Sequence, residues 1–305
     1  MTSSSTEPEQ RLVGPSDAAR TLRLVVLLCD TPAPPIVSAH GNYHAIFSTL
    51  FDRALNGTND LNLVVESYDV VKQSYPAPAT LKGAAGVLIT GSAASAYEDL
   101  PWITQLVSYV STLPDDFPHL KLIGICFGHQ IIARAFGSKV ERSTAGWEIG
   151  VRRIDLTDWG QWVFRDVVHD GTTGLDNKVG IHQMHRDHVP LPCPPGFKLL
   201  GSTPICPNHG MLRLKPSQAA AMPSHPVPPP SGPDLSEIQI ITVQGHPEYE
   251  SDVVKMIIDI RETAGILSKE VADESRVYAR EHDDGVQLAK VLLRILGRQA
   301  TDDVK

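Results

Sequence analysis

Residues 122–130 read LIGICFGHQ, an apolar run that stops at a cysteine with glycine two positions to either side. The segment HLKLIGI (119–125) before it has the composition of a buried strand. The segment GHQIIARAFG (128–137) after it carries Ile131, Ile132 and Ala135 on one helical face and stops at Gly137. A strand that turns sharply into a helix presents its central side chain at the carboxyl edge of a sheet, where α/β folds bind ligands. The turn strains the backbone and leaves no room for a neighbouring Cβ, which is the use of Gly124 and Gly128. A helix N-terminus beneath Cys126 also favours the thiolate. Two readings stay open on these residues alone. Cys126 is the nucleophile of an enzyme, or it is a small buried hydrophobe at a strand end.

Working outward, the chain before this turn alternates between two periods. TLRLVVLLCD (21–30), LNLVVES (61–67) and AAGVLIT (84–90) are near-continuous Val, Ile and Leu runs, the mark of strands buried on both faces. Between them, NYHAIFSTLFDRALNG (42–57) places Ile46, Phe47, Leu50, Phe51, Ala54 and Leu55 on one helical face, and PWITQLVSYVSTL (101–113) opens with proline in a first-turn position. Such alternation predicts a doubly wound α/β sheet with right-handed crossovers. After residue 138 the runs KVERS, EIGVRRIDLT, FKLLGST, HGMLRL and EIQIITVQG read as strands joined by loops, a more antiparallel half. Two helices close the chain, over 251–263 and 273–296, with a break expected at Asp284-Gly285.

The last of those strands runs into Gln244-Gly245-His246-Pro247-Glu248. A cysteine nucleophile needs a base, and the base needs an orienting group. A histidine at a strand exit with a carboxylate two residues on supplies both, and Pro247 stiffens the turn; the alternative is a plain surface turn. The histidines of IHQMHRDHV, His182, His185 and His188, offer a rival reading as a metal site with Asp187. Val189-Pro190 beside them points instead to extended or loop backbone, so no metal is assigned.

GICFGHQ followed by QGHPE resembles the class I glutamine amidotransferase family, in particular its stand-alone, GMP-synthase-like members. ITGSAASAY (89–97) and MHRDHV (184–189) resemble two further family segments, so the likeness runs from about residue 22 to 260. It implies a flavodoxin-like doubly wound mixed sheet with a cysteine nucleophile elbow. Carried over, it implies Cys126 as nucleophile, His246 as base and Glu248 as the group that orients His246. The backbone N–H groups of Gly91 and Phe127 would form the oxyanion hole. Gln130, His185 and Asp187 would contact the substrate, Asp187 as counter-charge to an α-ammonium and His185 in the loop around the α-carboxylate. Ser92, Ala93, Met184 and Arg186 depart from the family's usual residues, all near the substrate's amino-acid end.

The rest of the sequence bounds the function. Formal net charge is −8, with Lys and Arg scattered, so no basic stripe points to nucleic acid or an anionic membrane. The first twenty residues lack the order of a signal peptide, and the longest apolar run, Leu24 to Cys29, is too short to span a bilayer. Four cysteines at irregular spacing make neither a disulfide framework nor a CxxC site. A cytoplasmic protein with free thiols is expected. Residues 1–20 are expected as a disordered tail, 21–300 as the amidotransferase-like domain and 215–236, with seven prolines, as a surface loop; a polyproline ligand is a second reading of that loop.

No G-x-x-x-x-G-K-[ST] loop is present, so no ATP-using half and no cofactor is called for. Three functions stay in view. One is hydrolysis of the γ-amide of glutamine, with ammonia passing to a separate synthetase partner. Another is γ-glutamyl peptidase action on glutathione-type compounds, since plant peptidases of that kind are similar in their G-W-E-I-G stretch, here Gly146–Gly150. The last is a regulatory or binding module with an idle triad.

Overall fold

The computed structural model describes residues 8–15, 18, 20–57, 60–168, 177–216, 228 and 234–297. The first half contains strands β1 (Glu9–Val13), β2 (Arg20–Leu28), β3 (Leu61–Asp69), β4 (Gly86–Ile89) and β5 (Lys121–Ile125), interleaved with helices α1 (Pro34–His40), α2 (Tyr43–Leu55), α3 (Pro78–Lys82), α4 (Pro101–Asp116) and α5 (Phe127–Ala135). Next come β6 (Glu141–Arg142), β7 (Glu148–Leu156), α6 (Asp158–Val168), β8 (Lys178–His185), β9 (Asp187–His188), β10 (Phe197–Leu199), β11 (Gly201–Ser202), β12 (Gly210–Leu214) and β13 (Ile238–Val243). Helices α7 (Ser251–Thr263), α8 (Lys269–Tyr278) and α9 (Gly285–Gly297) follow.

The main sheet has eight strands in the order β1-β3-β2-β4-β5-β13-β12-β10. Its five central strands are parallel, and antiparallel strands flank them on both sides. The class implied by the resemblance, a doubly wound mixed α/β sheet, is the one observed. Alternation along the central strands explains why near-continuous apolar runs were needed. Leu24, Val26, Leu88 and Ile123 bury into one core with α2 and α9, whereas Val25, Leu27, Val87 and Leu122 bury into the other with α4 and α5. A separate three-stranded antiparallel sheet, β11-β7-β8, and the pair β6-β9 lie outside it.

Three expectations are corrected, and one helix is new. The tail drawn over 1–20 contains β1, paired antiparallel with β3 from Glu9↔Ser67 to Val13↔Leu63. Backbone pairing makes this strand, since only Val13 of its five residues is buried. The run FKLLGST is two strands belonging to different sheets, split at Leu200. The closing helix expected over 273–296 starts earlier, at Lys269, and breaks ahead of Gly285 as expected, into α8 and α9, with Asp284 buried between them and accepting from the Gly180 N–H at 2.6 Å. Helix α6, amphipathic through Trp159, Val163 and Val167, was not anticipated at all. The Pro-rich loop lies largely outside the described residues, and its last part, Leu235–Glu237, is a 3-10 turn with Leu235 buried.

Candidate active site

Strands β4, β5 and β13 end level with one another, Ile89 paired with Gly124 and Val243 with Ile125. The segments leaving them therefore meet at the carboxyl edge of the sheet, where Gly91, Cys126 and His246 come together. Cys126 is held at φ 51°, ψ −102°, a strained conformation for a residue with a Cβ. Its N–H donates to the Val243 carbonyl at 2.9 Å, and its own carbonyl accepts from the Gln130 N–H at 3.2 Å. The flanking glycines are required by contact. A Cβ on Gly124 would stand 2.7 Å from the Gly128 carbonyl oxygen, and one on Gly128 would stand 2.2 Å from that of Ile89. Phe127 is the first residue of α5, so its N–H has no intrahelical acceptor.

His246 is placed by its own N–H, which donates to the His182 carbonyl at 2.7 Å. Its ring Nδ1 lies 2.8 Å from Glu248 Oε1, which requires the proton on Nδ1 and leaves Nε2 for the Cys126 sulfur. The ring stacks on Tyr249, centroids 4.1 Å apart and 3° from parallel, and the Tyr249 hydroxyl meets that of Tyr43 at 3.0 Å. Burial opposes a charge on His246, but Cys126 and Glu248 on either side outweigh it, and its pKa is pushed up to about 10. Gly91 is pressed against both groups: a Cβ there would lie 2.9 Å from His246 Cε1 and 3.8 Å from the Cys126 Cβ.

The residues expected around a substrate also gather here. Gln130 Nε2 donates to the Asp187 carbonyl at 3.0 Å and to Gln244 Oε1 at 3.1 Å, and Gln244 Nε2 donates to the Cys126 sulfur at 3.5 Å. The Asp187 carboxylate accepts from Ser95 at 2.6 Å. His185 turns both ring nitrogens toward protein groups, Nδ1 to the Asp187 carbonyl at 3.1 Å and Nε2 to within 3.1 Å of Glu148 Oε2. It thus braces the Asp187 segment from behind.

Glu148 is the centre of a second cluster. His209 Nε2 lies 2.9 Å from its Oε2, and Thr203 donates to its Oε1 at 2.6 Å. Among the described residues, Glu148, His185, Cys206 and His209 place donor atoms within 4.8 Å of one another, so these four could hold a metal ion. The His182–His185–His188 repeat does not assemble. His182 Nε2 lies 3.7 Å from Asp283 and His188 Nε2 3.7 Å from Glu141, and only His185 belongs to the cluster.

Two hollows meet at Cys126, sharing Ser92, Ala93, Met184 and Arg261 in their walls. One, of about 330 Å³, is polar and carries Gln130, His185 and Asp187. The other, of about 310 Å³, is walled by isoleucines and carries His246, Tyr43 and Tyr249. Four contributors were missed by sequence reasoning. Gln244 and Tyr249 flank the H-P-E motif and could have been suspected from position. Tyr43 and Arg261 sit in helices far along the chain and carried no motif.

The fold, the cysteine turn and the converging histidine define a class of protein. A family model for glutamine amidotransferase class-I matches residues 54–226, and the chain belongs to that family. A glutamine amidotransferase-like protein of Schizosaccharomyces pombe is 30% identical over 276 residues, 90% of this chain and 98% of the relative. Gamma-glutamyl peptidase 4 of Arabidopsis thaliana is 28% identical, covering 85% of this chain and 89% of its own. Among solved structures, a glutamine amidotransferase from Thermotoga maritima superposes with a TM-score of 0.61 at 17% identity, over 91% of this chain and 99% of that one, a likeness of fold. Among the described residues, no helix is long and apolar enough to cross a membrane.

Proposed function

We propose that this chain is a cysteine hydrolase that cleaves γ-glutamyl amides, glutamine among them, with Cys126 as nucleophile, His246 as acid and base, and Glu248 as the group that orients His246. The observation that carries this reading is the junction itself: a cysteine at positive φ on a helix N-terminus, beside a histidine whose other nitrogen is 2.8 Å from a buried glutamate.

The Cys126 thiolate attacks the γ-carbonyl carbon, and the oxyanion that forms accepts hydrogen bonds from the backbone N–H groups of Gly91 and Phe127. Protonated His246 gives its proton to the leaving nitrogen, the C–N bond breaks, and a γ-glutamyl thioester remains on Cys126. Neutral His246 then takes a proton from water, whose oxygen attacks the thioester; glutamate leaves and the thiolate returns. Gln130 and Asp187 face the glutamyl head group, and His185 holds the Asp187 segment in place.

When the amide is that of free glutamine the leaving group is ammonia, available to a separate synthetase. A γ-glutamyl peptidase reading is favoured by one observation, the apolar hollow on the His246 side, for which ammonia has no use. Purified protein should release glutamate from glutamine or from γ-glutamyl dipeptides, and Cys126→Ala should abolish both. Absence of turnover with either class, alone and with a synthetase partner captured from its native extract, would support the idle-module alternative.

A further inference from the structure

We propose that the isoleucine-walled hollow beside His246 is a leaving-group subsite for an apolar amino acid or peptide, and that Arg261 binds its free carboxylate. This rests on the reading of Cys126 as nucleophile.

Direction comes from the two hollows. Gln130 and Asp187 stand only in the polar one, whereas His246 lines only the apolar one. A general acid must lie on the side of the nitrogen it protonates. With the glutamyl head in the polar hollow and its γ-carbonyl at Cys126, the nitrogen and whatever it carries extend toward His246. Ammonia needs no cavity of about 310 Å³ walled by Ile36, Ile46, Ile257 and Ile260. An aliphatic side chain on the leaving amine would bury against those residues.

Arg261 supplies the polar end. It stands on α7 in the wall shared by both hollows, and its guanidinium stacks on Trp147 with the carbon 4.9 Å from the ring centroid. Its Nη1 is buried without a hydrogen-bond partner among the described residues. A guanidinium presents a planar fork matched to a carboxylate, and a buried donor left unpaired is costly, so the arrangement calls for an anionic ligand. The Asp30 carboxylate in the same wall is already engaged, accepting from the N–H groups of Thr31 at 2.7 Å and Ala93 at 2.7 Å. The polar hollow has Arg142 and Arg186 for the glutamyl carboxylate, but the apolar hollow has no guanidinium besides Arg261 among its lining residues.

The test compares γ-glutamyl-leucine with γ-glutamyl-leucinamide, which lacks the free carboxylate, together with γ-glutamyl-glycine and glutamine. Wild-type protein should have a kcat/KM for γ-glutamyl-leucine about 10- to 100-fold above that for the leucinamide, the range of one charged hydrogen-bonded contact. It should also favour leucine over glycine by about tenfold or more, as burying an aliphatic side chain implies. Arg261→Met should erase the preference for the free carboxylate, and Arg261→Lys should retain part of it. Because the readout is a ratio between two substrates, a partly folded variant lowers both and leaves it readable. Equal turnover of acid and amide by the wild type would overturn the inference, as would an Arg261→Met variant that keeps the preference, as it would if Arg261 held the glutamyl α-carboxylate. Turnover of glutamine with none of the dipeptides would overturn the subsite and leave the hydrolase reading standing. No turnover of any of the four would overturn both.

Discussion

Among the described residues, two constellations share the same three residue types, Cys126–His246–Glu248 and Cys206–His209–Glu148, and they differ in backbone strain, access and neighbouring charge. Cys126 sits at positive φ at the N-cap of α5 and lines both hollows. Cys206 is 1% exposed, its sulfur directed to the Asn208 carbonyl at 3.5 Å, and burial pushes its thiol well above the usual range. The histidines differ in the same sense. His246 stands between Cys126 and Glu248 and is pushed up to about 10, whereas burial lowers His209 despite its contact with Glu148. In the second set the carboxylate is the hub. It ties β7 to His185 on β8 and to Thr203 and His209 on the chain after β11, and so fixes the segment that carries Asp187. The two sets share residue type and proximity; strain, access to both hollows and the raised histidine belong to the first alone, and these are what the proposed nucleophile needs.

The comparison breaks first at the cysteines. Cys126→Ala should lower hydrolysis by at least about 10⁴-fold, the scale of losing a nucleophile from such a site, while Cys206→Ala should change kcat/KM by less than about threefold, a packing change away from the reacting atoms. Comparable losses in both would erase the distinction. A smaller contrast separates acid–base work from orientation. His246→Ala should lose about 10³-fold or more in kcat, whereas Glu248→Gln should retain measurable activity, because the orienting group acts through the imidazole. Equal, small effects would remove both assigned roles.

The largest effect on stability belongs to Glu148. Burial raises its pKa, but His185 and His209 outweigh that and hold the carboxyl well below its usual range. A depressed carboxyl stabilises the fold above its ordinary value of 4.5, and that contribution is lost as pH falls through the folded value. Glu148→Gln should therefore cost about 3 kcal/mol at pH 7, as when one partner of a buried pair is removed. The gap in Tm between wild type and variant should narrow as pH drops below 4.5. A gap that widens in acid would contradict the arrangement.

Much of this was legible in the chain. Central strands buried on both faces leave no polar period, so LRLVVLL and GVLI announced themselves, and the glycines at 124 and 128 followed from the room the turn demands. What stayed hidden depends on tertiary contact. Strand β1 has exposed side chains and exists because β3 offers an edge. Glu148 looked like one residue of a G-W-E-I-G stretch until β8 brought His185 across from it in register. Arg261 is an unremarkable last-turn cation on α7 until Trp147 and the hollow are in place. Periodicity reports which face is buried; it does not report what the buried face meets.

The most direct measurement is the site of covalent capture by a glutamine-like diazo-ketone, mapped by mass spectrometry across the four free cysteines. One adduct is expected, on the peptide carrying Cys126, and it should be absent from the Cys126→Ala protein. An adduct on Cys206, Cys29 or Cys193 with Cys126 unmodified would contradict the reading of Cys126 as nucleophile.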